Sequence, residues 1–207
     1  CFLFMMYFNF KVYLLNFLAV FFLSSTLFPP PNLNLEYSVE SEYDSKIDYL
    51  PIAFTIKDFV GFKDFLGFFE SGSDYIKTNR YGYVGKYQFG KGTLDMYGVS
   101  NLIHYKNNPE LQEKVFLMNV MRNKWILRRE IKWYSNSYLS NVFITESGII
   151  AAAHLSGPGN VKKYLRSHCD INLDKKDANG TSISDYLRIF KGYNLDNIQA
   201  VRKPNLD

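Results

Sequence analysis

Glu70 closes an apolar stretch and is followed by Ser71, then at offsets of twelve, fifteen and eighteen residues by Gly82, Gly85 and Gln88. Further along stand Ala152-Ala153-His154-Leu155-Ser156-Gly157-Pro158-Gly159-Asn160-Val161. A carboxylic acid can deliver a proton to a leaving oxygen if apolar surroundings keep it uncharged near neutral pH. Phe65, Phe68, Phe69 and Tyr87 are the apolar neighbours expected beside Glu70. Glycines at 82 and 85 let backbone approach a ligand closely, and the Gln88 amide is suited to an N-acetyl group. Together these residues describe a cleft built around one acid, of the kind that cuts glycosidic bonds. The alternative, a solvated carboxylate at a helix end, is disfavoured because negative charge is unfavourable at a helix C-terminus.

A second carboxylate decides the outcome of such a reaction, because inverting hydrolysis needs one to activate water. Asp74 lies four residues beyond Glu70 and Asp95 follows the Gln88 tract, and solvated or capping roles suit both better. Tyr81, Tyr83, Tyr87 and Phe89 alternate with glycine and charged residues, which fits either sugar-stacking platforms or inward-packing strand residues. His154 is suited to a substrate oxygen or to a structural hydrogen bond. Asp170, Asp174, Asp177, Asn179 and Asp185 do not fit a calcium-binding EF-hand, because aligning Gly180 with the sixth loop position puts Lys175 first and Tyr186 last. They read as an acidic turn. Arg122, Lys124, Arg128, Arg129 and Lys132 read as a solvated helix face, and Cys169 as a small, partly buried filler.

Thr55-Ile56-Lys57-Asp58 has capping-box spacing, and Phe59, Phe62, Phe65, Leu66 and Phe69 recur at helical intervals, so a buried helix should run to Gly72 with Glu70 on its last turn. Residues 73–90 read as a loop with small strands. A short helix is expected from Thr93 to Tyr97, then a long one from Pro109 to about Tyr134. Three more follow: Thr145 to Leu155, about Asn160 to Ser167, and about Ser184 to Phe190. The expected fold class is mainly α, a helical domain with a small β/loop lobe flanking the cleft.

The spacing from Glu70 resembles the catalytic signature of the lysozyme-like superfamily, in particular soluble lytic transglycosylases and goose-type lysozymes. There a Glu-Ser pair ends a helix and a Gly-x-x-Gly-Leu-Met-Gln tract follows. Glu70-Ser71, Gly82, Gly85 and Gln88 match, while Lys86 and Tyr87 replace Leu-Met. The later Ala-Ala-Tyr-Asn-Ala-Gly-x-Gly-x-Val element is matched at Ala152, Ala153, Gly157, Gly159 and Val161, with His154 for Tyr and Leu155 for Asn. The resemblance covers roughly residues 58–165. It implies cleavage of the bond between N-acetylmuramic acid and N-acetylglucosamine in peptidoglycan strands, with Glu70 as general acid and then base. Ser71, Gly85, Tyr87, Gln88, His154, Gly157 and Gly159 are the implied substrate-binding residues. No metal or organic cofactor is implied, and a monomer suffices. A lytic transglycosylase works with one acid, because the substrate's own 6-hydroxyl and acetamido group leave a 1,6-anhydro end; that route is expected ahead of hydrolysis. The rival expectation is a non-catalytic peptidoglycan-binding or structural envelope protein with the same fold.

With 207 residues, 47% hydrophobic and 21% charged, the chain can pack one domain plus an extension. The net charge is +4, and residues 1–31 contribute only Lys11 to it, which is too little for a nucleic-acid partner. Residues 12–28 are apolar, preceded by Lys11 and stopped by Pro29-Pro30-Pro31, the pattern of a signal peptide or membrane anchor. Export to the periplasm or cell envelope is therefore expected. Residues 32–50 read as an acidic linker and 51–207 as the domain.

Overall fold

Asp58 starts the first helix by accepting the Gly61 amide on its carboxylate at 3.0 Å, which satisfies one of the unpaired donors at a helix start. Helix α1 spans Phe59–Ser71 and stops at Gly72, whose φ of 74° returns its amide to Phe68 O while Ser73 N reaches Gly67 O. A computed structural model describes residues 56–206 of the chain. The helix is capped at Asp58, where the sequence suggested a box begun by Thr55, and Thr55 itself lies outside the described residues. The 1–31 and 32–50 segments lie outside them too. Among the described residues, no helix is long and apolar enough to cross a membrane.

A loop held by the isolated bridges Thr78↔Val84 and Val84↔Phe89 follows α1. Then come α2 (Lys91–Met96), α3 (Leu102–Lys106) and α4 (Pro109–Ile126), the last capped by Asn108 with Pro109 at its first position. The long helix expected to reach Tyr134 is in fact two. Buried Leu127 interrupts it, and α5 runs Arg128–Tyr134. Hydrogen bonds continue on both sides of the bend, from Leu127 N to Asn123 O and from Ile131 N to Leu127 O. The bend needs no glycine or proline, so apolar periodicity could not reveal it.

A hairpin absent from the sequence reading follows. Strands β1 (Ser137–Leu139) and β2 (Val142–Ile144) pair antiparallel, with Tyr138 opposite Phe143. Ser140 and Asn141 form the turn at φ of 43° and 65°, as a two-residue hairpin turn with positive φ at both positions requires. Helices α6 (Glu146–Ser156), α7 (Pro158–Arg166) and α8 (Ile183–Ile189) complete the mainly helical fold, with a short 3₁₀ turn at Ile171–Leu173.

Helix α6 is the centre of the packing, with Ser147 to Ala153 buried without interruption. Its small residues admit neighbours at close range: a Cβ on Gly148 would lie 2.8 Å from the backbone oxygen of Leu187 in α8. Helix α1 packs through Phe62, whose ring lies 6.3 Å from that of Phe116 in α4 and 6.2 Å from Phe190 just after α8. Lys124, expected on a solvated face, is instead buried. Its ammonium donates to Leu195 O at 2.7 Å and pairs with Glu146 at 2.8 Å, so it ties α4 to the C-terminal segment and to α6. Burial of that charge is tolerable because both partners are present.

Candidate functional site

Three helices converge on Glu70. Helix α1 presents it from its last turn, with 17% of the side chain exposed. Helix α8 brings Tyr186, whose hydroxyl donates to Glu70 Oε1 at 2.6 Å. Burial, then the Glu70 charge and the hydrogen bond to it, raise the Tyr186 pKa far above the usual phenol value. The phenol therefore keeps its proton and acts as the donor in this pair. Helix α6 brings His154, whose Nε2 lies 3.8 Å from the same carboxylate oxygen and 2.8 Å from Tyr87 O. A carbonyl only accepts, so Nε2 carries the hydrogen and Nδ1 is left as a buried atom with no partner. With Oε1 taken by Tyr186, Oε2 is the oxygen of Glu70 suited to exchanging a proton with a ligand.

Glu70, Gln88 and His154 line one cleft of about 400 Å³, within the usual range for ligand sites. Tyr81 and Tyr83 form one rim and are 53% and 45% exposed. Asn79 shapes this rim by accepting the amides of Tyr81 and Tyr83 on its side chain at 2.9 and 3.0 Å. Asp177 and Asn179, on the loop before α8, form another wall. A second groove of about 330 Å³ shares Tyr83, Gln88, His154 and Leu155 with the cleft and continues past Tyr97, Asn119, Arg122 and Gly157. The two concavities thus adjoin at Gln88 and His154.

Gln88 sits at φ 47°, an uncommon conformation for a residue with a side chain, and its amide nitrogen donates to Gly85 O at 2.8 Å. The nitrogen is thereby committed to the turn. Its amide oxygen is the atom suited to a ligand. Gly85 also differs from expectation. Its missing side chain makes room for the Gln112 amide, which a Cβ would strike, while Gly82 faces open space. Gln112 accepts Lys86 N at 2.9 Å and donates to Tyr75 O and Tyr105 O, so this buried amide holds the loop's shape from below.

Ser71 and Tyr87 stand behind the cleft wall rather than in it. The Ser71 hydroxyl lies 2.8 Å from Lys86 O and accepts Asp74 N at 3.0 Å, pinning the loop to the end of α1. Tyr87 is fully buried, its ring stacked on Phe116 at 4.0 Å and its hydroxyl 2.9 Å from the Glu113 carboxylate. Residues 85–88 form a tight turn, with Gln88 N donating to Gly85 O at 3.2 Å, and the turn carries Gln88 to the cleft while Lys86 and Tyr87 face inward. Through its backbone oxygen Tyr87 instead orients His154. Phe89 is likewise buried, and only the tyrosines at 81 and 83 remain as candidate stacking surfaces.

A charged network underlies this floor. Lys86, 5% exposed, pairs with Asp64 at 2.8 Å and Glu113 at 2.9 Å, and Glu113 also accepts from Lys63, Tyr75 and Tyr87. Burial opposes ionisation of Glu113, but the hydrogen bonds from Lys63, Lys86 and Tyr75 and the Lys86 charge outweigh it. They hold the carboxyl down at about 2. Lys86 behaves likewise: burial lowers its pKa, and its bonds to Asp64 and Glu113 raise it to a net upward shift.

Asp74 and Asp95 are both exposed; the first accepts Ile76 N at 2.8 Å and the second pairs with Lys91 at 2.6 Å. Two acids of the acidic turn are likewise spent on backbone: Asp174 accepts Ser184 N, and Asp185 accepts Ser182 N while Ser182 caps it in return. Cys169 is a buried free thiol, as its filler role required. Gly157 borders the second groove, and Gly159 is exposed on the first turn of α7. Tyr186 and the wall at 177–179 escaped sequence reasoning. No group of three or more metal-ligating side chains occurs among the described residues. In comparisons with known proteins, no family model, curated protein or solved structure matches the chain.

Proposed function

We propose that the chain is a lysozyme-like glycosidase that cleaves the bond between N-acetylmuramic acid and N-acetylglucosamine in peptidoglycan, with Glu70 as its proton donor. The observation that carries this reading is the fixed carboxyl: Glu70 lies in a cleft between exposed tyrosines and His154, and Tyr186 fixes one of its two oxygens at 2.6 Å. A general acid must be placed within hydrogen-bond reach of the bond it breaks, and a fixed carboxyl in such a cleft meets that requirement.

In this reading a glycan strand lies along the two adjoining grooves, with sugar rings against Tyr81 and Tyr83. Oε2 of Glu70 gives its proton to the glycosidic oxygen as the C1–O bond breaks. The Gln88 oxygen accepts from a substrate amide or hydroxyl, and His154 braces the carboxylate side of the cleft through Tyr87 O. The N-terminal apolar segment would deliver the domain to the envelope, where this polymer is found.

Incubation of the purified protein with isolated sacculi, followed by mass spectrometry of the supernatant, tests the proposal. Soluble muropeptides released by the wild type and absent with Glu70→Gln support it. Binding to sacculi without release by either protein would replace it with a non-catalytic peptidoglycan-binding role.

A further inference from the structure

The cleft holds two carboxylates, not one. Besides Glu70, its lining includes Asp177, which the sequence places 107 positions away. The other acids near the site are otherwise engaged: Asp64 and Glu113 with Lys86, Asp95 with Lys91, and Asp74 with its own turn. Asp177 is held on a rigid corner. Its backbone amide donates to Thr181 O at 2.9 Å, and the flanking Lys176 and Ser182 form a bridge. Its Oδ1 accepts the amides of Asn179 at 2.9 Å and Thr181 at 2.8 Å. Oδ2 has only a long contact of 3.5 Å with the Asn179 side-chain amide. One oxygen is thus anchored, and the other remains available to the cleft.

We infer that Asp177 is the catalytic base opposite Glu70, and that the product of this cleft is a hydrolysed strand. This rests on the glycosidase reading above and decides its outcome. Glu70 passes its proton to the leaving oxygen as the C1–O bond breaks and the bonding pair stays on that oxygen. Water from the solvent attacks C1 on the opposite face while Asp177 Oδ2 takes one of its protons. One water is added across one bond, the anomeric configuration inverts, and a reducing end forms. The two acids share a reporter in Tyr186: after burial, the charge of Glu70 and the bond to it, the Asp177 charge also raises the phenol pKa. Asp177 thus lies within electrostatic reach of the acid's own hydrogen-bond partner and lines the same cleft as the acid.

Asp177→Asn keeps an oxygen for the Asn179 and Thr181 amides and removes the base. With sacculi as substrate, the wild type should release reducing ends, and Asp177→Asn should be slower by about 10²-fold or more, the usual contribution of a positioned base. Its residual products should shift toward anhydro ends, because the substrate's own hydroxyl then competes for C1. A thermal melt checks the fold of the variant. A second reading needs no variant: NMR of the first products of the wild type should show the inverted anomer. Exclusively anhydro products from the wild type, a retained anomer, or reducing ends at an unchanged rate from Asp177→Asn overturn the assignment and leave Glu70 as a lone acid. Cleavage that survives Glu70→Gln, or none from the wild type, overturns the glycosidase reading and this assignment with it.

Discussion

The Tyr186 hydroxyl and the Glu70 carboxylate meet at 2.6 Å although 116 positions separate them. Helix α8 is placed for this contact by α6, because Gly148 lets the Leu187 backbone come close. The Phe69 ring lies edge-on to the Tyr186 ring at 5.4 Å, so the α1 residue next to the acid also steadies its partner.

Removing the phenol oxygen in Tyr186→Phe leaves the ring packing intact and frees Glu70 Oε1. A hydrogen bond to a charged group contributes roughly 1.5–3 kcal/mol, so kcat should fall about tenfold to a hundredfold. KM for soluble glycan should stay near its wild-type value, and the basic limb of the pH–rate profile, which the general acid sets, should move. Steady-state kinetics across pH measure both. An unchanged profile would assign Tyr186 to packing alone.

Gly148→Ala places a Cβ against the Leu187 carbonyl, which is backbone and cannot swing aside. Overpacking of this kind costs about 1–3 kcal/mol. Tm should drop, and activity should fall more than stability explains, because α8 carries Tyr186 to the acid. Thermal melts and rates measured well below Tm separate the two effects.

Parts of this site were legible in the sequence because local spacing constrains them. The glycine after α1 fixes where that helix ends and so places Glu70 on its last turn, and the close-packing run Ile149 to Ala153 pointed to a helix from Thr145 to Leu155, observed as Glu146–Ser156, that carries His154. Ser71 and Tyr87 were misassigned because adjacency in a motif says nothing about which face a side chain takes. Lys124 was misread for a related reason: a charge on a helix was counted as solvated, whereas a carbonyl and a carboxylate from distant segments surround it. Tyr186 and Asp177 had no readable signal, since only the packing of α8 on α6 brings them to the cleft.

Tyr81 and Tyr83 are exposed, so their truncation should leave the fold undisturbed. Tyr81→Ala and Tyr83→Ala should each weaken glycan binding roughly fivefold, from about 1 kcal/mol of lost aromatic contact. The loss should appear in KM, with kcat near wild type. Calorimetric titration with chitooligosaccharides or soluble muropeptides provides the check.

Glu113 gives the fold a specific acid sensitivity. Its carboxyl is held at about 2, against an ordinary value of 4.5. The stability it contributes is fully present above the ordinary value and is lost as pH falls from there through about 2. In Glu113→Gln the pH dependence of Tm across that window should flatten, and Tm near neutrality should fall by the equivalent of roughly 2 kcal/mol. Melts from pH 2 to 7 on both proteins would show it.

The most direct test of the central claim is the product spectrum of Glu70→Gln beside that of the wild type on purified sacculi. The isosteric change keeps an oxygen for Tyr186 and removes only the transferable proton. The account predicts muropeptides from the wild type and none from a folded variant that still binds the polymer. Release at comparable rates from both proteins would contradict it.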